Sequence, residues 1–281
     1  MKTIKLLIIA GCLSLLLFNL YSCITVIETE FPEFENKPVI NAMLISGNKI
    51  GLSVSLTGKI DSIPCKVITD ASVELYVDND FVTKLTYDSD TGYYISHVVA
   101  ETEKEYKCKV LIAGYEPIEC VMIQPATPRI INAKFIPFVG TDENGWRYSG
   151  TEITFANDLN KDLFFEVRLM SRPSWDDEIY YVTDEIILKE GLPLALFSNK
   201  HITDSIWTVR ISFWDDSEGL ELRLVTEDYY KYKRSIYMFK MADAGLSGAS
   251  AYYPIHSNIP NAYGIFAGYT SSQREFDNLD K

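Results

Sequence analysis

The sequence contains few of the residues and motifs that most often carry catalysis. Only three histidines occur, and none stands in an HxxxH or HExxH arrangement: His97, His201 and His256. No CxxC pair is present, so a structural zinc site is not expected. The chain also lacks a GxSxG nucleophile elbow, a GxGxxG loop and a complete phosphate-binding loop. The sequence therefore predicts no catalytic residue, no metal and no cofactor.

Positive charge is scarce as well. Lys and Arg total 26 against 39 Asp and Glu, which gives a formal net charge of −13. Binding to nucleic acid needs clustered Lys and Arg that neutralise phosphates, and no such run is present. Nucleic acid is therefore not expected as a partner. With 47% apolar residues the chain can bury a sizeable core, which excludes wholesale disorder.

Long hydrophobic runs are absent except at the N-terminus. Lys2 and Lys5 precede an almost wholly apolar stretch, residues 6–20. As a helix with a rise of about 1.5 Å per residue it would span only about 22 Å, which is short for a membrane helix and typical of a secretory signal core. The sequence Leu-Tyr-Ser-Cys that follows resembles a lipoprotein box. We therefore predict a lipoprotein signal peptide over residues 1–22, with lipid attachment at Cys23.

Cys12 is a competing attachment site, because Ile-Ala-Gly before it matches the usual lipoprotein box better. Cleavage there would leave only residues 6–11 as the apolar core, so position favours Cys23. An unlipidated secreted protein or an uncleaved anchor would also fit this N-terminus. At about 0.8 kcal/mol per buried methylene group, two acyl chains such as palmitoyl hold a protein much better than one. Lipidation at Cys23 would thus give a stable membrane anchor.

The rest of the chain divides into a tether and two sections. Residues 23–38 carry four glutamates and two prolines without usable periodicity, and we interpret them as an acidic tether. The sequence Gln-Pro-Ala-Thr-Pro at residues 124–128 suits a domain boundary, because proline interrupts both helices and strand ladders. We therefore predict one domain over residues 39–127 and a second over residues 128–281.

Alternating apolar residues predict strands in the first section. Val73, Leu75 and Val77 alternate with more polar neighbours, and turns are expected at residues 78–80, 88–92 and around Gly114. Short strands separated by regularly spaced turns are typical of an antiparallel β-sandwich. The first section is therefore predicted to be such a sandwich.

The second section is predicted to be β-rich with one amphipathic helix. Residues 163–169, 207–213 and 220–224 alternate in the same way. Helical spacing of apolar residues, with Thr226 as the cap, predicts the helix near residues 226–243. The aromatic stripe of this helix, which is Tyr229, Tyr232, Ile236 and Phe239, is interpreted as core packing. The predicted fold class of the whole chain is all-β.

Two cysteines stand symmetrically in one predicted hairpin. Cys108 and Cys120 lie six residues on either side of Gly114, and both should point inward. They could form a disulfide across the hairpin, since export makes disulfides chemically accessible. The alternative is a pair of buried free thiols that behave as small apolar residues. Cys65 would have no partner in either case.

Two acidic clusters stand next to tryptophans, in Trp175-Asp176-Asp177-Glu178 and in Trp214-Asp215-Asp216. Carboxylates beside an aromatic ring occur in glycosidase and sugar-binding sites, and such clusters can also hold calcium. The simpler interpretation is solvated loop carboxylates, because the chain is rich in acids and lacks calcium-loop spacing.

Several stretches occur together in an order typical of one family. They are the lipoprotein box and the segments 37–41 (KPVIN), 70–75 (DASVEL), 91–94 (TGYY), 105–106 (EY), 114–115 (GY), 227–232 (EDYYKY) and 255–269 (IHSNIPNAYGIFAGY). On these residues the chain resembles the Bacteroidota outer-membrane lipoproteins grouped as domain-of-unknown-function family 4249. Tyr21 in the box and Ala262, where a glycine is more usual, depart from that pattern. Gly264 and Gly268 in the last segment should permit close backbone approach or a bulge.

The resemblance implies an exported β-rich lipoprotein, often encoded beside TonB-dependent outer-membrane receptors. The first section also looks like immunoglobulin- or prealbumin-like modules of the carboxypeptidase regulatory type. No family activity is established, so no catalytic residue carries over. We therefore expect a non-enzymatic protein, lipid-anchored in the outer membrane, that acts as a binding or accessory component with a TonB-dependent receptor. An envelope structural or assembly lipoprotein is the second hypothesis, and a glycan-active enzyme is a third, less favoured one.

Overall fold

Strands make up almost all of the regular structure. The computed structural model describes residues 35–59, 65–141, 144–145, 147–170, 181–182, 187, 189–192, 194–213, 218–243 and 253–276. Within them lie a helix, α1 (Glu227–Asp243), and fifteen strands. The strands are β1 (Pro38–Ile45), β2 (Lys49–Leu56), β3 (Ser72–Val77), β4 (Asp80–Asp88), β5 (Tyr93–Val99), β6 (Glu105–Leu111), β7 (Ile118–Ile123), β8 (Ile130–Thr141), β9 (Arg147–Ala156), β10 (Phe164–Leu169), β11 (Tyr181–Val182), β12 (Leu196–Ser198), β13 (Ile206–Phe213), β14 (Gly219–Val225) and β15 (Tyr263–Glu275). The all-β class and the helix near residues 226–243 are confirmed.

The hairpins of the first section follow from local sequence. In β1 and β2 every second side chain is buried, as the alternation requires. Asp78 and Asn79 join β3 to β4 with φ angles of 50° and 71°, the left-handed geometry that tight hairpin turns need. In the next turn the Asp88 carboxylate accepts hydrogen bonds from the Asp90 amide and the Thr91 hydroxyl. The predicted turns at residues 78–80 and 88–92 are confirmed.

The strands form two sheets. The larger has eleven strands in the order β12-β10-β14-β15-β1-β2-β5-β4-β3-β6-β7, and the smaller has the order β11-β13-β9-β8. β1 pairs antiparallel with β2 and parallel with β15. The C-terminal strand β15 therefore lies inside the sheet that the first section begins. The domain boundary near residues 124–128 stays a prediction, but strands from both sides of it share this sheet.

The core of the first section includes residues from the end of the chain. Phe266 of β15 and Ile259 pack with the buried apolar side chains of β1 to β7. Gln124, which is fully buried, donates hydrogen bonds from Nε2 to the carbonyls of Leu44 and Tyr269 at 3.3 and 2.7 Å. The segment of residues 255–269 thus belongs to the second section by sequence but completes the core of the first.

The second section is layered about the strands β10, β14 and β15. On one face of them the smaller sheet packs through an aromatic cluster in which Phe155 contacts Phe165 and Trp207 at ring distances of 4.8 and 5.3 Å. On the other face lies α1, whose Tyr229 is buried against Tyr269. Because side chains alternate between the two faces of a strand, β14 packs against the smaller sheet on one face and against α1 on the other.

Helix α1 begins as the sequence predicts. The Thr226 hydroxyl accepts a hydrogen bond from the Tyr229 amide at 3.3 Å, which is the contact of an N-cap. Of the predicted aromatic stripe, Tyr229 is buried and Tyr232 half-buried, whereas Phe239 is exposed. The stripe packs at the start of the helix but not near its end. No helix among the described residues is long and apolar enough to cross a membrane.

Candidate functional site

Most of the site residues proposed from sequence lie outside the described residues. These are Cys23 and the two acidic clusters beside tryptophan at residues 175–178 and 214–216. They remain predictions. Within the described part of the chain, no group of three or more His, Cys, Asp or Glu side chains could hold a metal ion. His97 and His201 are exposed, and His256 is half-buried.

The two hairpin cysteines face each other as free thiols. Cys108 and Cys120 are direct neighbours in the β6–β7 register, and both are buried. The Cys120 thiol donates to the Cys108 carbonyl at 3.6 Å instead of bonding the other sulfur. The structure therefore has the free thiols and not the disulfide. Burial, followed by the charge of Glu119, raises the pKa of Cys120 to about 12, and burial also raises that of Cys108.

Thiol titration checks this arrangement. The test uses the processed protein, in which Cys12 would be removed and Cys23 lipidated. In this protein Cys65 is exposed and should react with a disulfide reagent at pH 8, whereas the two buried thiols should not. After unfolding in urea without a reductant, all three should react. A single reactive thiol in urea would show that Cys108 and Cys120 are bonded and that the free-thiol arrangement is wrong.

A groove of about 730 Å³ runs between α1 and the segment 253–257. The helix contributes Tyr230, Lys231, Arg234 and Ser235 to its lining. These residues share one side of the helix because positions three and four apart are neighbours on its surface. We take this groove as the candidate functional site.

His256 fixes the segment against the helix. Its Nε2 lies 2.8 Å from Asp228 Oδ1, and its backbone amide donates to the Ser235 hydroxyl at 2.8 Å. Asn258 donates to the other oxygen of Asp228 at 3.0 Å and also bonds both the amide and the carbonyl of Phe266. One wall of the groove is thereby tied to both α1 and β15.

Arg234 belongs to a second cluster at the groove, centred on Glu190. One oxygen of the Glu190 carboxylate accepts bonds from the Ser198 amide and hydroxyl, and the other accepts the Tyr230 hydroxyl at 2.6 Å. Burial, and then the bond to Glu190, raises the pKa of Tyr230, so this phenol stays protonated and remains a donor. Arg234 Nη2 donates to the Glu190 carbonyl at 2.6 Å, while Nη1 lies 3.6 Å from the carboxylate.

A buried charge cluster lies behind the helix. Arg223 of β14 pairs with Glu166 at 3.0 Å and Glu221 at 2.7 Å, and its guanidinium stacks over the Tyr269 ring at 4.2 Å. Burial alone would lower the pKa of Arg223, but the two carboxylates raise it above its usual range, so the guanidinium stays charged. Tyr229 donates to Glu166 at 2.8 Å. This cluster anchors the start of α1 to the sheet.

The sequence pointed to few of these groups. His256 looks isolated in the sequence because its partner Asp228 is remote along the chain, and Glu190 carries no signal at all. Lys231 and Arg234 could have been noticed as two cations one turn apart on a predicted helix. Nothing in the sequence indicates that the segment 253–257 lies beside that turn.

Comparisons with known proteins identify a family and weak likenesses to solved structures, two of which follow. The model of a family described as "Domain of unknown function (DUF4249)" matches residues 24–275. No curated protein matches the chain. A β-glucuronidase from glycoside hydrolase family 2 is 14% identical with a TM-score of 0.24, over 68% of this chain and 19% of that one. A putative membrane anchored protein from Corynebacterium diphtheriae is 6% identical with a TM-score of 0.23, over 67% and 54%. At these TM-scores neither structure informs the function.

Proposed function

The chain belongs to the DUF4249 family, and from that premise we propose that it is a non-enzymatic lipoprotein of the outer membrane. In this proposal the lipid on Cys23 holds the protein at the membrane, and the folded part serves a TonB-dependent receptor as a binding or accessory component. The observation that carries the proposal is the order of segments at the N-terminus. A short apolar run ends in the lipoprotein box at Cys23, and an acidic stretch follows.

The start of the fold is compatible with this order. β1 begins at Pro38, so fourteen residues, 24–37, separate Cys23 from β1. Fully extended, they reach about 50 Å, which is enough to lift the strands clear of the lipid headgroups.

Replacing the proposed lipid site tests the anchor. The wild-type protein should sediment with outer membranes, and mass spectrometry should find residue 23 acylated. Cys23→Ala removes the thiol that carries the lipid, so we expect this variant to leave the membrane fraction or to accumulate as the uncleaved precursor. Cys12→Ala is the matched control and should behave as wild type. An unmodified Cys23 in the mature wild-type protein would contradict the proposal.

Co-purification tests the partner. Affinity purification of the tagged native protein from detergent-solubilised outer membranes should recover a receptor barrel. Recovery of the lipoprotein alone would count against the receptor role. Together with a leaky envelope in a deletion strain, it would favour a structural or assembly lipoprotein instead.

A further inference from the structure

The groove beside α1 has a cationic half and an apolar half. Among the described residues, its lining includes Lys231 and Arg234 but no Asp or Glu. The carboxylates paired with these two cations, Glu227 and Glu190, stand outside that lining. On the opposite side, Tyr253 and Ile255 are 38% and 46% exposed. We propose that the groove binds a small organic acid, in which a carboxylate is attached to an apolar or ring-shaped body. This inference rests on the binding role proposed above and names its ligand class.

Arg234 has hydrogen-bonding capacity that the protein does not use. Glu190, its ion-pair partner, already accepts bonds from Ser198 and Tyr230. At 3.6 Å the contact between Arg234 Nη1 and Glu190 is too long for a hydrogen bond, and the buried Nη1 has no other partner. Because a buried donor without an acceptor is unfavourable, an acceptor placed in the groove would be stabilising.

Ser257 and Lys231 can also donate hydrogen bonds to an acceptor in the groove. Ser257 also lines the groove, and its hydroxyl is buried without a hydrogen-bond partner. Lys231 pairs with Glu227 at 2.8 Å, but both side chains are about half exposed, and exposed pairs of this kind are weak. Lys231 can therefore turn to a ligand at little cost. A carboxylate supplies acceptor oxygens to all three groups and can replace Glu227 as the partner of Lys231.

The apolar half of the groove indicates that the ligand has an apolar part besides its carboxylate. Small-molecule sites are commonly about 300–1,000 Å³ and combine apolar walls with a few placed polar groups, and this groove, at about 730 Å³, lies in that range. The Tyr253 ring can pack against the face of a ring or a short aliphatic chain. A bare inorganic anion would leave that half of the groove empty.

Binding of a matched pair of probes tests the proposal. Phenylacetate and phenylacetamide share one body and differ in charge, and inorganic phosphate supplies an oxyanion without a body. With the purified, lipidated mature protein in detergent, titration calorimetry or ligand-observed NMR should give phenylacetate a dissociation constant of about 1 mM. Phenylacetamide and phosphate should each bind at least about tenfold more weakly. Equal binding of the amide, equal binding of phosphate, or no binding of phenylacetate would overturn the proposal.

Two variants assign the site. Ser257→Ala removes only the unpartnered buried hydroxyl, so it should not lower the melting temperature, while phenylacetate should bind several-fold more weakly. Arg234→Lys keeps the charge but removes Nη1, and we expect about tenfold weaker binding. Arg210→Lys is the matched control, because Arg210 is an exposed arginine paired with Glu152 on the smaller sheet. If Arg234→Lys fails to fold, the Ser257 variant still decides, and unchanged binding there contradicts the proposal.

The binding test for the groove and the test of the proposed membrane role can fail independently. The titration uses purified protein without a receptor, so it reports the groove alone. Failure to recover a receptor barrel would leave the binding result intact, and failure to bind the acid would leave the anchor and the receptor untouched.

Discussion

Gly264→Ala is expected to destabilise the protein by about 4 kcal/mol or to prevent folding, because no space exists for a side chain at this position. Gly264 lies in β15 opposite Ile40 of β1, with a φ of +114°. A Cβ atom built there would lie 1.9 Å from the Ile40 carbonyl oxygen and 2.7 Å from its carbon. Both are backbone atoms of a buried strand, so the contact is relieved only if β1 and β15 separate.

Urea denaturation of the two proteins measures the effect. Gly114→Ala is the matched control, because Gly114 also has positive φ, at +85°, but no heavy atom lies within 4 Å of its built Cβ. In Gly114→Ala the free energy of unfolding should fall only by the cost of placing an L-residue in the left-handed region, which is about 1–2 kcal/mol. If the free energy of unfolding falls equally in the two variants, the positive φ of Gly264 makes glycine necessary there, and the close contact with β1 does not.

Arg223→Ala is the second change with a large expected effect. It removes the cation between Glu166 and Glu221, whose side chains are 13% and 15% exposed. Breaking a buried ion pair by deleting one partner leaves uncompensated charge and costs about 3–5 kcal/mol. The loss should appear as a lower unfolding midpoint in urea and in a thermal melt.

Two comparisons isolate the cause. Arg210→Ala removes an arginine whose side chain is 68% exposed and paired with Glu152, and such surface pairs contribute about 0–1 kcal/mol. Combining Arg223→Met with Glu166→Gln and Glu221→Gln removes the charges together, and this triple variant should be more stable than Arg223→Ala. If the triple variant is the less stable of the two, the unpaired carboxylates are not the source of the loss.

The interactions that span a few residues were predictable. Alternation in residues 71–77 correctly predicted β3. The short Asp-rich turns were also predicted correctly, because side chains two or three residues away set their geometry. Thr226 was correctly identified as the cap of α1 for the same reason. The symmetry of Cys108 and Cys120 about Gly114 correctly predicted that the two residues lie opposite each other in the hairpin. It did not predict whether their sulfurs are bonded or free.

The candidate site was not predictable from these local rules. Asp228 meets His256 only because α1 lies against the segment 253–257. Arg234 meets Glu190 across a still larger separation in sequence. Such contacts depend on the relative placement of several elements, which propensities and alternation do not encode. A single histidine or arginine therefore carries no signal of its partner.

The sequence by itself determined the strand-rich class, the tight hairpins and the position of α1, because each depends on neighbours along the chain. It also suggested that Gly264 permits a close approach. The tertiary structure alone decided which backbone approaches there, since the parallel pairing of β1 with β15 joins the two ends of the folded chain. It likewise decided that a groove lined by Lys231 and Arg234 lies beside α1. Packing over long sequence separations selects these arrangements, and local sequence does not constrain them.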